Sequence, residues 1–156
     1  EEGAMGLVVN QPLKISLNEV FASMGIQAGD IVHRYAQKPV YAGGPVQRER
    51  GFVLHRPMRK RWQSSVTLSS NLSVTTSRDI LEHMAQSKEE VESLITLGYA
   101  GWASGQLEAE VQDTAWLCCP ADPEVLFTVP ASHRWEAAAN CLGIELGQLA
   151  CEAGHA

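Results

Sequence analysis

Gly98-Tyr99-Ala100-Gly101-Trp102-Ala103-Ser104-Gly105-Gln106-Leu107-Glu108-Ala109-Glu110 is the stretch on which the reading of the fold turns. An apolar run breaks on glycines and an aromatic, then restarts as a polar, helix-competent segment. That change of period within a few residues predicts a strand turning sharply into a helix. Corners of this kind often carry active sites in α/β proteins. This one has no nucleophile–base pair and no phosphate loop.

Outward from the corner, the later part of Val91 to Tyr99 is strand-like, and Ser104 is placed to cap the following helix with Leu107 and Val111 facing inward. Trp116-Leu117-Cys118-Cys119 and Val125-Leu126-Phe127 read as short apolar strands around the turn Pro120-Ala121-Asp122-Pro123. Ser132 is the expected cap of a last long helix, with Trp135, Ala138, Ala139 and Leu142 along one stripe and Gly143 ending it. The tail to Ala156 reads as a surface segment of glycine and small residues.

Toward the N-terminus, Ala4-Met5-Gly6-Leu7-Val8-Val9 reads as a buried strand. Ser16 and Glu19 have the S-x-x-E spacing of a capping box, and Leu17, Val20, Phe21 and Met24 follow on one helical face until Gly25. Val40 to Ala42 and Gly51 to His55 are strand candidates. Ser65 to Ser69 and Leu72 to Thr76 form a hairpin around Ser70-Asn71. Ser77 is placed to cap a helix that carries Ile80, Leu81, Met84 and Ala85 on its inner side. Strands come in neighbouring groups as well as alternating with helices. The expected class is therefore an α/β (α+β) sandwich, a mixed and partly antiparallel sheet with packed helices in one domain.

The bulk properties agree. A chain of 156 residues, 45% hydrophobic and 19% charged, has the size and composition of one globular domain with a substantial core. No apolar run reaches the roughly 20 residues that span a bilayer, and no signal peptide is visible, so cytoplasmic residence is expected. Net charge −6 gives no global attraction to nucleic acid. The local exception is His55 to Arg61, where Arg56, Arg59, Lys60 and Arg61 are candidate phosphate contacts, although such runs are more often solvated loops.

The four cysteines, Cys118, Cys119, Cys141 and Cys151, lack metal-ligand spacing. Cys118 and Cys119 are the candidate redox thiols, with His55, His83 or His133 as bases. Adjacent residues on a strand point to opposite faces, so buried structural cysteines are the better reading. None of the five histidines (His33, His55, His83, His133, His155) pairs at helical spacing, and HExxH and CxxC are absent. Glu108 and Glu110, two apart on a helix, face different sides and read as solvated charge or capping groups. Gly43-Gly44-Pro45 lacks the lysine and hydroxyl of a P-loop, and Gly98, Gly101 and Gly105 do not form GxGxxG. No metal, cofactor or catalytic residue is expected. What remains is an aromatic and amide group, Tyr99, Trp102, Gln106 and Trp116. Core packing is the favoured role of its aromatics; if exposed, the group becomes a natural docking place.

Gly3 to Pro12, Gly43 to Val46, Arg50 to His55 and Thr76 to Leu81, together with Leu97 to Trp102, Gly105 to Glu110, Ala115 to Leu117 and Gly154 to Ala156, occur in order across the chain. In these blocks the sequence resembles the bacterial YqgE/AlgH family. The resemblance implies a single-domain cytosolic α/β protein of unknown biochemical activity, with some members described as transcriptional regulators on genetic grounds. It carries over no catalytic residues. It also implies about 30 further residues ahead of Glu1, without which the strand at Ala4 to Asn10 has an edge open to pairing with another chain.

The expectation is a non-enzymatic regulatory or protein-interaction module, a monomer or weak oligomer, acting on an unidentified protein partner through a shallow apolar cleft. Direct nucleic-acid binding is the alternative, and a thiol-based redox sensor or enzyme is the third reading.

Overall fold

The computed structural model describes residues 3–27, 29, 35 and 38–144. The expected surface tail, Cys151, His33 and His155 lie outside the described residues. Seven strands form one mixed sheet. They are β1 (Ala4–Gly6), β2 (Pro12–Ser16), β3 (Pro39–Ala42), β4 (Val46–His55), β5 (Ser65–Ser69), β6 (Leu72–Thr75) and β7 (Ser93–Trp102). The five described helices are α1 (Leu17–Ser23), α2 (Arg78–Gln86), α3 (Gln106–Gln112), α4 (Pro123–Phe127) and α5 (Ala131–Cys141).

The strand order is β2-β3-β7-β4-β6-β5, and β1 adds to the far end of β7. Among the described strands only β3 and β7 run parallel, and every other pair is antiparallel. This is the mixed, partly antiparallel sheet the sequence implies.

Period-2 alternation makes two cores from one sheet. Val40, Val53 and Ile95 face α1 and α2, where Leu17, Phe21, Ile80 and Met84 are almost wholly buried. Their neighbours Tyr41, Phe52, Leu54 and Leu94 face the opposite way, toward Leu126 and Phe127 of α4 and Ala131 of α5. The capping box holds as read: Ser16 N–H donates to Glu19 Oε2 at 2.7 Å, and Glu19 N–H donates to Ser16 Oγ at 3.4 Å.

The central strand β7 is bent at Gly98, whose φ of +75° lies in the left-handed region. A Cβ there would stand 2.5 Å from the Gly44 carbonyl oxygen, and one on Gly44 would stand 2.1 Å from the Tyr99 carbonyl carbon. The two backbones touch, so only glycine fits. At the same place the β4–β7 register shifts between Val46–Tyr99 and Gly51–Leu97. Beyond this contact the last residues of β7, Ala100 to Trp102, pair with β1 instead of β4.

Several local expectations are corrected. Val125 to Phe127 is helical because the Asp122 carboxylate accepts the Glu124 N–H at 2.9 Å and Pro123 sits in the first turn. Trp116 to Cys119 has no regular structure. The run Ala4 to Val9 forms a strand only to Gly6 and is not buried, with Met5 53% exposed. The cap of α3 is Gly105, at φ +75°, rather than Ser104; Leu107 is half-buried and Val111 exposed. Ser77 stands at the start of α2, but its hydroxyl serves Asp79 and the Ser64 N–H instead of the helix. The cap residue of α5 is Pro130 rather than Ser132, and α5 buries Arg134 and Ala139 while Trp135 faces outward.

Candidate functional site

The corner delivers Trp102 at the end of β7 and Gln106 at the start of α3. Gln106 and Glu110 are four apart and share a helix face. Gln106 Oε1 accepts the Ala103 N–H at 3.0 Å, and its amide donates to Glu110 Oε1 at 2.9 Å. The other carboxylate oxygen, Oε2, accepts two indole N–H groups: Trp102 at 3.1 Å and Trp116 at 2.7 Å. The two indoles meet edge to face, with ring centroids 5.7 Å apart and planes at 79°. Donation from Trp116, then Gln106 and Trp102, holds the Glu110 carboxyl below its ordinary range. One carboxylate thus fixes two tryptophans that would otherwise sample many rotamers.

Those tryptophans form one wall of an apolar cleft of about 430 Å³. Leu7, Val9, Val125 and Leu126 form its floor, and Trp135 of α5 stands at its rim. Trp116 is 47% and Trp135 60% exposed, an unusual outlay of aromatic surface to solvent. Arg134, 6% exposed, also lines the cleft. Its Nε donates to the Val129 carbonyl at 3.0 Å, its Nη1 donates to the Val9 carbonyl, and its guanidinium lies 5.0 Å from the Tyr41 ring centre. The floor continues past Leu7 and Leu126 into an apolar trough that reaches the exposed Val66 and Leu68 of β5.

Of the four residues assigned to the corner group, Trp102, Gln106 and Trp116 come together. Tyr99 does not: it packs edge-on against Phe52, centroids 5.8 Å apart, in the core of that face. Sequence reasoning missed Glu110, Arg134 and Trp135. The Gln106–Glu110 spacing was the available signal for the first. Nothing local marked Trp135 as a rim residue.

The other candidates are placed as follows. Arg56 is engaged by two carboxylates, Glu92 and Glu124, the latter at 3.0 Å, and Glu92 in particular raises its pKa. Lys60 lies over the Trp62 ring at 4.9 Å and 3.4 Å from His83 Nδ1. Arg59 and Arg61 are exposed. Cys118 is an exposed free thiol and Cys119 a half-buried one, not the buried cysteines of a strand. His55 is buried with Nδ1 2.7 Å from the Arg56 carbonyl and Nε2 2.8 Å from Thr75 Oγ1; among the described residues no imidazole is hydrogen-bonded to a thiol. No group of three His, Cys, Asp or Glu side chains among the described residues is arranged to hold a metal. The Gly43-Gly44 backbone is filled by Gly98 and Tyr99, which leaves no cradle for a phosphate.

A larger cavity, about 550 Å³, lies between α1 and α2 over Gly51. Its arginine, Arg78, is engaged by Glu82 Oε1 at 2.6 Å and the Met24 carbonyl at 2.8 Å. The tryptophan cleft differs in presenting a buried cation, Arg134, that no carboxylate among the described residues pairs.

Comparison with known proteins settles the family. The model of the AlgH-like family, DUF179, matches residues 1–147. This chain belongs to that family. Among its relatives, a UPF0301 protein of Thioalkalivibrio sulfidiphilus is 49% identical over 156 residues, all of this chain and 82% of that one. A UPF0301 protein of Idiomarina loihiensis is 48% identical, over all of this chain and 83% of its own. The solution structure of the AlgH protein from Pseudomonas aeruginosa is 48% identical, with a TM-score of 0.76 over 99% of this chain and 80% of that chain. Protein DIP2367 from Corynebacterium diphtheriae, 20% identical with a TM-score of 0.66 over 90% of this AlgH-like chain, shares the fold. No described helix of the chain is long and apolar enough to cross a membrane.

Proposed function

We propose that this AlgH-like protein is a non-enzymatic regulatory module that docks a partner polypeptide in the cleft walled by Trp102 and Trp116. The observation that carries the reading is the shared carboxylate: Glu110 accepts both indole N–H groups and holds two aromatic rings at the edge of an apolar cleft. Pre-ordered aromatics lose little entropy on binding and are the residue type that dominates interface energetics. This reading has the protein act in the cytoplasm, as a monomer or weak oligomer, without a cofactor. A role in transcription then runs through the partner rather than through DNA.

The test is quantitative capture from lysate by wild type and by Trp116→Ala and Trp135→Ala. Trp116 is 47% and Trp135 60% exposed, so the fold tolerates their loss. Specific partners should be lost with either variant, and an unchanged set of partners would refute the cleft. Direct nucleic-acid binding keeps one supporting observation, the exposure of Arg59, Lys60 and Arg61 in one loop. It requires an affinity that falls steeply with salt. A mobility shift at low salt, abolished by charge reversal of Arg59 and Arg61, would favour it over the cleft.

A further inference from the structure

Arg134 is the one feature of the cleft that apolar docking does not explain. A charge removed from water is costly unless it is paired. Arg134 is almost wholly buried, yet among the described residues no carboxylate lies within ion-pair distance of it. Two of its N–H groups are taken by the Val129 and Val9 carbonyls. The guanidinium carries five N–H donors, and among the described residues the two on Nη2 have no protein acceptor. A neutral amide could bridge two carbonyls without burying a charge. The charge therefore calls for an anion, and the planar fork of arginine suits a carboxylate best.

The surroundings narrow that anion. The rest of the cleft that Arg134 lines is largely apolar, with Val8, Val9, Leu126 and the tryptophans about it, so a carboxylate must arrive attached to an apolar group. About 430 Å³ holds one large side chain and its carboxylate. The rim at Trp116 and Trp135 is open, which gives the preceding chain a way out to solvent.

We propose that the cleft captures the C-terminal end of a partner polypeptide, with its terminal carboxylate on Arg134 and an apolar last side chain between Trp116 and Trp135. The proposal rests on the docking reading above and names the part of the partner that is docked. Capture of a terminal carboxylate is an established mode of peptide recognition.

The test uses fluorescent hexapeptides ending in Leu, Phe or Trp, each as the free acid and as the C-terminal amide, titrated into the full chain. The acid should bind at least about tenfold more tightly than the amide, the factor a charge-assisted hydrogen bond supplies. Arg134→Gln should remove that difference and leave amide binding unchanged. If Arg134→Gln does not fold, the acid–amide difference of the wild type decides the assignment, and Ala138→Trp, which fills the cleft one helical turn from the arginine, should abolish binding of both forms.

Acid and amide binding equally, with both lost in Ala138→Trp, would overturn the carboxylate assignment and leave the docking reading standing. Acid binding that survives Ala138→Trp would overturn both. No binding by any peptide overturns the terminal-carboxylate assignment, and the Trp116→Ala and Trp135→Ala captures then judge docking alone. Free 3-phenylpropanoate binding as tightly as the peptides would show that the ligand is a small acid rather than a chain end.

Discussion

Replacing Gly98 with alanine should destabilise the protein far more than the same change at Gly105, although both glycines have φ +75°. The shared term is the left-handed backbone, about 1–2 kcal/mol for an L-residue. Gly105 has open space where a Cβ would go, so that term stands alone, offset in part by the lower entropy of an unfolded alanine chain. At Gly98 the Cβ would lie 2.5 Å from the Gly44 carbonyl oxygen and 3.0 Å from that of Val46. Both are backbone atoms, so strands must move, which adds about 1–3 kcal/mol. The total for Gly98→Ala is about 2–5 kcal/mol, against about 1 for Gly105→Ala. At roughly 2–4 °C per kcal/mol for a domain of this size, Tm should fall by about 4–20 °C for Gly98→Ala and by about 2–4 °C for Gly105→Ala. Urea unfolding and calorimetry of the two variants beside wild type read this directly. Equal losses would refute the claim that β7 bends because its backbone rests on Gly44.

Glu110 has a depressed carboxyl pKa, so the order it imposes on the indoles is complete above the ordinary value of 4.5 and is lost as pH falls through the lower folded value. The near-ultraviolet circular dichroism of wild type should therefore hold to below pH 4.5 before changing, and Glu110→Gln should show an altered signal with no such transition; a midpoint at or above 4.5 would contradict the shared-carboxylate geometry. Burial, the first cause at both sites, lowers the pKa of His55 and His83 from 6.5. Their neutral forms support the fold, so urea stability should be full above pH 6.5, decline as pH falls toward the lower folded values, and stay level between pH 5 and 8 only if the histidines are not buried as described. The outward-facing β5 carries Val66 at 63% and Leu68 at 58% exposure, so Val66→Lys and Leu68→Lys should cost less than about 0.5 kcal/mol and reduce self-association in sedimentation. Unchanged association would show that the edge is not sticky.

The fold was legible wherever one residue pattern dictated one structure. The Ser16–Glu19 box, the β5–β6 hairpin and the buried stripe of α2 rest on local chemistry, and each is found where expected. Val125 to Phe127 misled because three apolar residues carry no period, and the deciding signal was the Asp122-Pro123 cap just before them. Trp135 misled for a different reason. A helix stripe states which residues share a face, but only packing states which face is covered, and on α5 the covered residue is Arg134. The cleft itself was half legible. Trp102, Gln106 and Trp116 could be grouped by proximity in sequence, whereas Arg134 and Leu7 reach the same place only through the sheet. The strand expected at Cys118 and Cys119, which argued for buried structural cysteines, is an irregular segment with Cys118 exposed and Cys119 half-buried.

The most direct test of cleft docking is the set of indole N–H resonances in a titration of the protein with the free-acid hexapeptides, followed by nuclear magnetic resonance. Trp62 is buried in the other core and serves as the internal reference. The account predicts saturable shifts of the Trp116 and Trp135 signals, smaller ones at Trp102, and none at Trp62. A shift confined to Trp62, over which Lys60 of the basic loop lies, or a Trp116 signal that stays in place while peptide binds, would contradict it.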